Sequence, residues 1–237
     1  DPDKAPENGS ESSSPEELPS SIYLSSYVSG LYSYTVSDGT ATVTDYTGSD
    51  AFVSVPSTLD GYPVSAIGTD AFGNNDTIVN VTLPEGVTSI GSSAFRDCSQ
   101  LASISLPQTL VEIKSSAFYG CSSLEEITIP ASVTTISSSA FGNSVKKMTF
   151  AEGTTAIPDN ACYNAYLLEE VVIPDTVTSI GSYAFRGCSQ LGSIVLPNDL
   201  EEIKSYTFYD CSSLSGVVVP DSVTSIGSRA FYGCSAL

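Results

Sequence analysis

Apolar residues recur along most of the chain with a period of 23 residues. The phenylalanines mark it best, because they fall into two runs with this spacing that are separated by 44 residues, two periods less two residues. A period in this range predicts a solenoid, since so short a unit buries its apolar side only against stacked neighbours. A solenoid offers mainly a long surface, which favours binding over catalysis. The two runs are Phe72, Phe95, Phe118 and Phe141, then Phe185, Phe208 and Phe231.

Within one unit, the spacing of Leu124, Ile127 and Ile129 predicts a half-buried strand. Pro130 ends that strand because proline has no N–H for a ladder, and a second extended piece follows at 133–136. A tight, partly helical corner then turns a small residue and the phenylalanine inward. Stacked strands give a parallel sheet on one face, with a second interior column formed by Ile67, Ile90, Ile113, Ile136, Ile157, Ile180, Ile203 and Ile226.

The irregular unit is 134–154, which is two residues short and lacks the cysteine of its neighbours. We expect Met148 and Phe150 in its core, and Cys162 stands where the next unit should have its phenylalanine. Either the sequence has drifted and Phe150 fills the space left at Cys162, or the solenoid bends here and shapes a binding surface. The regular units are 65–87, 88–110, 111–133, 155–177, 178–200 and 201–223, followed by a partial unit at 224–237.

Two segments precede the repeats. Residues 1–20 carry six acids and one lysine among serines and prolines, which predicts a disordered tether. Residues 21–64 predict a β cap, since a solenoid needs a cover over its first unit. Within it, Asp38-Gly39 lies between two β-prone runs and predicts a type I′ hairpin, and Asp60-Gly61 supplies another turn.

The pattern L-x-x-I-x-I-P-x-x-V-x-x-I-x-x-x-A-F-x-x-C over residues 65–237 resembles the BspA-like (Treponema-type) leucine-rich repeat family, and residues 38–68 resemble its capping hairpin. The resemblance implies a leucine-rich repeat solenoid of the α/β repeat class, dominated by β structure. Its parallel strands lie on one face, with short helical or 3-10 corners and an N-terminal β-hairpin cap. It also implies a bacterial cell-surface or secreted protein, linked to adhesion or host-protein binding, without catalytic residues.

The net charge of the chain limits the classes of binding partner. The chain has 8 basic and 27 acidic residues and a net charge of -19, which disfavours nucleic acid and anionic membranes. We therefore expect an extracellular protein or glycan as partner, and an anchored or secreted location with any signal or anchor outside this sequence. No apolar run approaches 18 residues, so we expect no membrane insertion by this segment. No cap follows the last unit in this sequence, so we expect either that the protein continues past Leu237 or that the open C-terminal repeat associates with another copy.

Catalytic machinery is not expected. The chain has no histidine, which removes the commonest acid–base group, and no C-x-x-C motif for zinc. Adjacent glutamates on a strand point to opposite faces, so they form no catalytic pair. We predict no enzyme, metal or cofactor. Five of the six cysteines share one repeat position and are predicted to be free, buried thiols that act as small apolar filler, namely Cys98, Cys121, Cys188, Cys211 and Cys234.

The outward face of the strands is the predicted binding site. One outward column changes from hydroxyl residues to valines along the array, which predicts an exposed apolar strip. Two other interpretations stay open: threonine and valine are simply good strand formers, and the array is a structural spacer. Four tyrosines at the corners, Tyr119, Tyr163, Tyr209 and Tyr232, either anchor a partner or cover backbone. The predicted binding residues are Glu126, Lys147, Thr149, Glu170, Val172, Ser193, Val195 and Val218.

Overall fold

The computed structural model describes residues 25–237. The tether predicted at 1–20 and the first residues of the predicted cap, 21–24, lie outside the described residues. The strands are β1 Ser26–Ser29, β2 Tyr32–Ser37, β3 Thr40–Tyr46, β4 Phe52–Ser54, β5 Thr58–Leu59, β6 Tyr62–Ile67, β7 Asn80–Thr82, β8 Ser89–Ile90, β9 Ser103–Ser105, β10 Glu112–Ile113, β11 Glu126–Ile129, β12 Thr135–Ile136, β13 Lys147–Phe150, β14 Ala156–Ile157, β15 Glu170–Val172, β16 Ser179–Ile180, β17 Ser193–Ile194, β18 Glu202–Ile203, β19 Gly216–Val217 and β20 Ser225–Ile226.

The N-terminal cap begins as an antiparallel meander of β1, β2 and β3. Asp38 and Gly39 join β2 to β3 with φ of 50° and 75°, the two positive values that a type I′ turn requires. Asp60 and Gly61 join β5 to β6 in the same way, with φ of 48° and 89°. Strand β3 then pairs in parallel with β6, so the hairpins cover the first repeat and the predicted β-hairpin cap is confirmed.

The repeats form two rows of parallel strands. The short-strand face contains β6, β8, β10, β12, β14, β16, β18 and β20, and the long-strand face contains β4, β7, β9, β11, β13, β15, β17 and β19. The sequence predicted a parallel sheet on one face, and the second extended piece of each unit also forms ladders. The solenoid of the leucine-rich repeat type is therefore confirmed, with about one strand per unit on each face.

The interior consists of the predicted columns. Phe72, Phe95, Phe118 and Phe141 stack with ring centroids 4.9, 5.5 and 5.6 Å apart. Tyr46 of the cap lies 5.2 Å from Phe72 and extends this stack. The stack resumes beyond the irregular unit at Phe185, Phe208 and Phe231. The isoleucine column is buried up to Ile203, whereas Ile226 in the last unit is 54% exposed.

The corners differ from the expectation of short helical or 3-10 segments. Within residues 25–237 they are hydrogen-bonded turns without helix. The reason is a left-handed residue that recurs in the turn of every unit and interrupts any run of right-handed helical backbone. These residues are Asp70, Ser93, Ser116, Ser139, Asn160, Tyr183, Tyr206 and Arg229, with φ between 54° and 60°.

The irregular unit loses its two residues between Ser144 and Val145, since Leu124 of the preceding unit and Val145 are both buried just ahead of paired strands. Ser144 takes the position of the missing cysteine. Its hydroxyl donates to the Phe118 carbonyl at 2.6 Å, just as the Cys121 thiol donates to the Phe95 carbonyl at 3.0 Å.

Met148 lies against Cys162 in the core. The sulfur of Cys162 lies 3.4 Å from the sulfur of Met148. Met148, with its flexible and polarizable side chain, is thus the neighbour that meets the small residue at this break in the phenylalanine column. Phe150 is buried, as expected, and its filling of the space at Cys162 stays a prediction.

The ladders open on one side of the irregular unit. Among the described residues, β12 and β14 are not joined, whereas β11, β13 and β15 pair continuously on the other face. Pro158 contributes to the gap. It occupies the position of Gly91, whose N–H donates to the Ile67 carbonyl at 2.7 Å, and proline has no N–H. The two units joined here are therefore hydrogen-bonded, within the described residues, through the long-strand face and not through the short strands.

Candidate functional site

The predicted binding residues lie on the long-strand face and point outward. Glu126, Lys147 and Glu170 form one row in register across β11, β13 and β15. Thr149 and Val172 stand opposite each other in the next row. The other three residues lie at the separate ladder of β17 and β19. Ser193 pairs with Gly216 inside that ladder, and Val195 and Val218 come directly after the two strands.

The charged row contains one ion pair, and a second ion pair lies beside it. Lys147 donates to Glu170 at 2.9 Å, and this hydrogen bond raises the pKa of Lys147. Lys146 donates to Glu125 at 2.6 Å and its pKa is raised in the same way. Each lysine thus pairs with a glutamate of the neighbouring unit, one on each side. Exposed pairs of this kind contribute little to stability, and Glu126 in the row belongs to neither pair.

The valines form an exposed strip. Val172 is 38% exposed, and Val195 and Val218 are each 83% exposed. We call these three residues the valine strip. The corresponding outward positions of the earlier units hold hydroxyl side chains, namely Thr82, Ser105, Thr128 and Thr149. One exposed valine is ordinary on a protein surface, but neighbouring units that repeat it make a contiguous apolar patch.

Shallow clefts run along this strip. Among the described strands, β15 and β17 are neighbours without a shared ladder. Between them lies a cleft of about 280 Å³, whose lining includes Val172, Ser193 and Val195. A second cleft of about 230 Å³ lies between Val195 and Val218 and reaches Pro220. The small side chains of this region leave the space, and the strip therefore has grooves as well as exposed methyl groups.

A larger and more polar cleft lies at the opened ladder between β12 and β14. Its volume is about 530 Å³, and Ser137, Ser138, Pro158, Asp159 and Asn160 contribute to its lining. The hydroxyl-rich lining reflects the serines and threonines that fill the short-strand face. This cleft adjoins the irregular unit, while a bend that shapes a binding surface stays a prediction.

The cysteines are free, and they do more than fill space. Each thiol at the repeat position donates to a backbone carbonyl 26 residues earlier, as Cys211 does to Phe185 at 3.0 Å. Burial raises the pKa of Cys98 to about 11 and raises that of Cys121, Cys162, Cys188 and Cys211 further above the ordinary value. A thiol with a raised pKa carries almost no thiolate at neutral pH, so these are structural groups.

Two tyrosines of the corners were missed from the sequence. Tyr183 and Tyr206 lie at the left-handed turn position, where earlier units hold Ser93 and Ser116. Their rings stack with centroids 4.8 Å apart, beside the predicted corner tyrosine Tyr209. The sequence marks Tyr183 by a change from serine to tyrosine between two otherwise similar blocks. These blocks read GSSAFRDC at 91–98 and GSYAFRGC at 181–188.

Within residues 25–237 no group of three potential metal ligands from His, Cys, Asp and Glu comes together. No helix in that range could span a membrane.

Comparison with known families and structures supports one assignment. A family profile described as BspA type leucine rich repeat region matches residues 65–190 and 155–237. No curated protein matches the chain.

Three crystal structures illustrate the likeness. A leucine rich repeat protein of T. pallidum is 32% identical with a TM-score of 0.63, and the match covers 90% of this chain and 91% of that one. A leucine-rich repeat protein of Bacteroides ovatus is 31% identical with a TM-score of 0.68, over 85% of this chain and 55% of that one. A leucine rich cell surface protein of Faecalibacterium prausnitzii is 30% identical with a TM-score of 0.57, over 90% and 75%.

Proposed function

The chain belongs to the BspA type leucine-rich repeat family, and on that premise we propose that it is a cell-surface or secreted binding module. It contacts another protein through the valine strip of the long-strand face, in the manner of an adhesion module. The family is one of bacterial surface-type proteins with protein-binding repeats. One similar structure carries the description of a cell surface protein, which supports the location.

The valine strip is the observation on which the proposal rests. A stable protein interface buries an apolar centre inside a polar rim. The strip supplies that centre, and the rim consists of the hydroxyl residues and the paired charges of Glu126, Lys147, Thr149 and Glu170 on the adjoining strands. Lys147 is paired with Glu170, and the rim offers hydrogen-bonding groups around the apolar centre.

A protein suits the strip better than a glycan. Methyl groups of Val195 and Val218 gain contact energy from apolar side chains that are removed from water with them. The surface of a sugar is dominated by hydroxyl groups, which gain nothing from a valine. The grooves beside Val172 and Val195 are also lined by β strands, and they match an extended segment or a loop of a partner.

The test is a binding screen of the folded chain against extracellular matrix proteins, mucins and an array of glycans. A double variant, Val172→Glu with Val195→Glu, places two charges in the strip. A matched control, Thr82→Glu with Ser105→Glu, places two charges in the same outward column of the earlier units. We expect a protein partner whose binding falls at least tenfold in the strip variant and less than twofold in the control.

Other outcomes of the screen point elsewhere. Binding that only glycans show would replace the protein partner with a sugar. A blank across the panel, together with a mass that grows with concentration, would favour a structural spacer that assembles with copies of itself. Turnover of a peptide or a glycan would contradict the expectation that the chain is not an enzyme.

A further inference from the structure

A cluster of tyrosines and arginines covers the corner that joins the short strands to the long strands in the C-terminal units. We call it the Tyr–Arg patch. It lies away from the outward column that contains the valine strip, because its residues precede the long strand of each unit. Its members are Tyr163, Tyr183, Arg186, Tyr206, Tyr209 and Arg229.

Arg186 is held at the centre of the patch. Its guanidinium carbon lies 5.2 Å from the ring centroid of Tyr163 and 5.0 Å from that of Tyr209. It is 5.9 Å from the ring of Tyr183. One guanidinium nitrogen donates to the hydroxyl of Tyr163 at 2.7 Å. Three rings and a hydrogen bond therefore fix the orientation of the cation, which lowers the entropy lost when a ligand binds it.

The rings themselves are ordered into short stacks. Tyr183 and Tyr206 are 4.8 Å apart with an interplanar angle of 10°. Tyr209 stacks on Tyr232 at 5.0 Å and 16°. Each ring in these pairs covers one face of its neighbour, so the patch offers mainly ring edges and hydroxyl groups. A sugar ring that binds by stacking needs a free aromatic face, and the stacks do not favour that mode.

Backbone strain indicates that these side chains are retained for a reason other than stability. Tyr183 and Tyr206 have φ of 59° and 60°, and Arg229 has φ of 54°. Bulky residues rarely adopt this conformation, whereas asparagine and aspartate tolerate it. Earlier units place small residues there, such as Ser93 and Asn160. Strain of this kind is concentrated at functional sites.

The two arginines of the patch are also free of carboxylates. In the described part of the chain, the ion pairs involve Arg96, Lys114, Lys146 and Lys147, and none includes Arg186 or Arg229. A guanidinium without a carboxylate presents a planar fork of donors that matches a carboxylate of a ligand.

From the strain, the fixed cations and the ring edges together, we propose that the Tyr–Arg patch is a second binding site, for a protein segment that presents one or two carboxylates among uncharged side chains. Tyrosine and arginine are the residue types that dominate binding energy in protein interfaces. The segment is not strongly acidic as a whole, because a net charge of -19 repels a polyanion. The site is separate from the valine strip and does not depend on the function proposed for it.

A library of displayed random 12-residue peptides tests the proposal. The library is selected on the wild-type chain and counter-selected on a double variant, Arg186→Gln with Arg229→Gln. We expect enriched peptides that contain Asp or Glu and bind wild type at least tenfold more tightly than the double variant. Changing the acidic residue of the peptide to its amide should cause the same loss. Arg96→Gln, in the same corner column but paired with Asp97, should change the affinity less than twofold.

A second variant separates binding from structure. Tyr183→Asn with Tyr206→Asn relieves the left-handed strain, so the melting temperature should stay equal or rise while peptide affinity falls at least tenfold. Peptide binding should persist in Val195→Glu, which disables the valine strip only. Three results would overturn the proposal: enriched peptides without carboxylates, affinity that the arginine variant leaves unchanged, or a lower melting temperature with full affinity in the tyrosine variant.

Discussion

The interior phenylalanines depend on one another for their environment. Phe118 is fully buried and stacks on Phe95 and Phe141 at 5.5 and 5.6 Å with almost parallel rings. Its amide also donates to the Ala140 carbonyl of the next unit at 2.7 Å. A residue in such a column therefore joins three units, and its removal leaves a cavity that rigid neighbours on both sides do not fill.

We expect Phe118→Ala to lower the free energy of unfolding by about 3–5 kcal/mol, the usual cost of truncating a buried aromatic residue. Urea denaturation followed by circular dichroism measures it. Gln100→Ala, at an exposed position, is the control and should change stability by less than about 0.5 kcal/mol. Equal effects of the two substitutions would contradict the stacked column.

Cys121 tests whether the column thiols are donors or only filler. The Phe95 carbonyl accepts from the Cys121 thiol at 3.0 Å and from the Cys98 amide at 3.2 Å. Because Ser144 fills the same position in another unit, we expect Cys121→Ser to stay within about 1 kcal/mol of wild type. Cys121→Ala should cost more, since it removes the donor and leaves a void. A serine variant that is less stable than the alanine variant, by urea denaturation, would favour filler.

For individual residues, the sequence predicted those that repeat and missed those whose role depends on backbone geometry. The period of 23 placed the phenylalanine and isoleucine columns correctly. The thiol hydrogen bonds and the left-handed residues depend on the direction of the backbone carbonyls in the folded turn. The spacing of residues in the sequence does not report that direction. Tyr183 and Tyr206 were overlooked for that reason, although a change from serine to tyrosine between similar blocks marked the position.

The strands show how neighbouring units stay joined when a ladder is interrupted. The long-strand face lacks pairing between β9 and β11 and between β15 and β17, and the short-strand face lacks it between β12 and β14, within the described residues. The interruptions do not coincide, so every pair of successive units keeps at least one ladder. The opening between β15 and β17 coincides with the groove beside Val172, and the opening at Pro158 coincides with the polar cleft.

We expect hydrogen exchange to reveal the opening beside Pro158. The amide of Phe118 donates to the next corner, at Ala140. In the next unit the equivalent hydrogen bond would join the Phe141 amide to the Ala161 carbonyl, and residues 25–237 do not contain it. The amide of Phe141 should therefore exchange sooner than that of Phe118, since an amide without a backbone acceptor is less protected. Mass spectrometry of overlapping peptides measures this, and equal protection of the two amides would contradict it.

The sequence predicted the strand positions but not the division of the ladders. Proline after L-x-x-I-x-I ended the long strand as expected, at Pro130 for example. The partly helical corner was not found, because local propensity does not report a left-handed residue at every turn. The two-residue deletion was recognised, yet its placement between Ser144 and Val145 depends on which bonds survive it.

The stability of the N-terminal cap is expected to depend on pH. Asp60 accepts from the hydroxyls of Ser29 and Tyr34, each at 2.8 Å, and these bonds lower the pKa of Asp60. Burial, with the bond to Asp60, raises the pKa of Tyr34 to about 12. A lowered carboxyl pKa gives stability that is lost as pH falls below about 4, and a raised phenol pKa gives stability that is lost as pH rises from about 10 towards 12.

We therefore expect the melting temperature difference between wild type and Asp60→Asn to be largest near neutral pH and to shrink below about pH 4. Asparagine keeps the left-handed turn that Asp60 adopts, so the comparison reports the lost charge and its bonds. Scanning calorimetry from pH 2 to 11 measures it. Asp76→Asn, at an exposed position, is the control. A difference that stays constant down to pH 2 would contradict the role of the Asp60 carboxylate.

Specialised surfaces are concentrated in the C-terminal half of the molecule. The valine strip spans residues 172–218 and the Tyr–Arg patch spans 163–229. The earlier units carry hydroxyl groups or small residues at the same positions, such as Thr82 and Ser93. Block duplication followed by local change would produce this division, with the first half acting as a scaffold and the second half presenting the contacts.

The most direct test of the proposed binding surface is hydrogen exchange of the chain with and without its tightest protein partner from the screen. The proposal predicts slower exchange at 170–173, 193–196 and 216–219, and unchanged exchange at the short strands 179–180 and 202–203. Protection confined to the short strands, or to the cap at 26–67, would contradict binding through the valine strip.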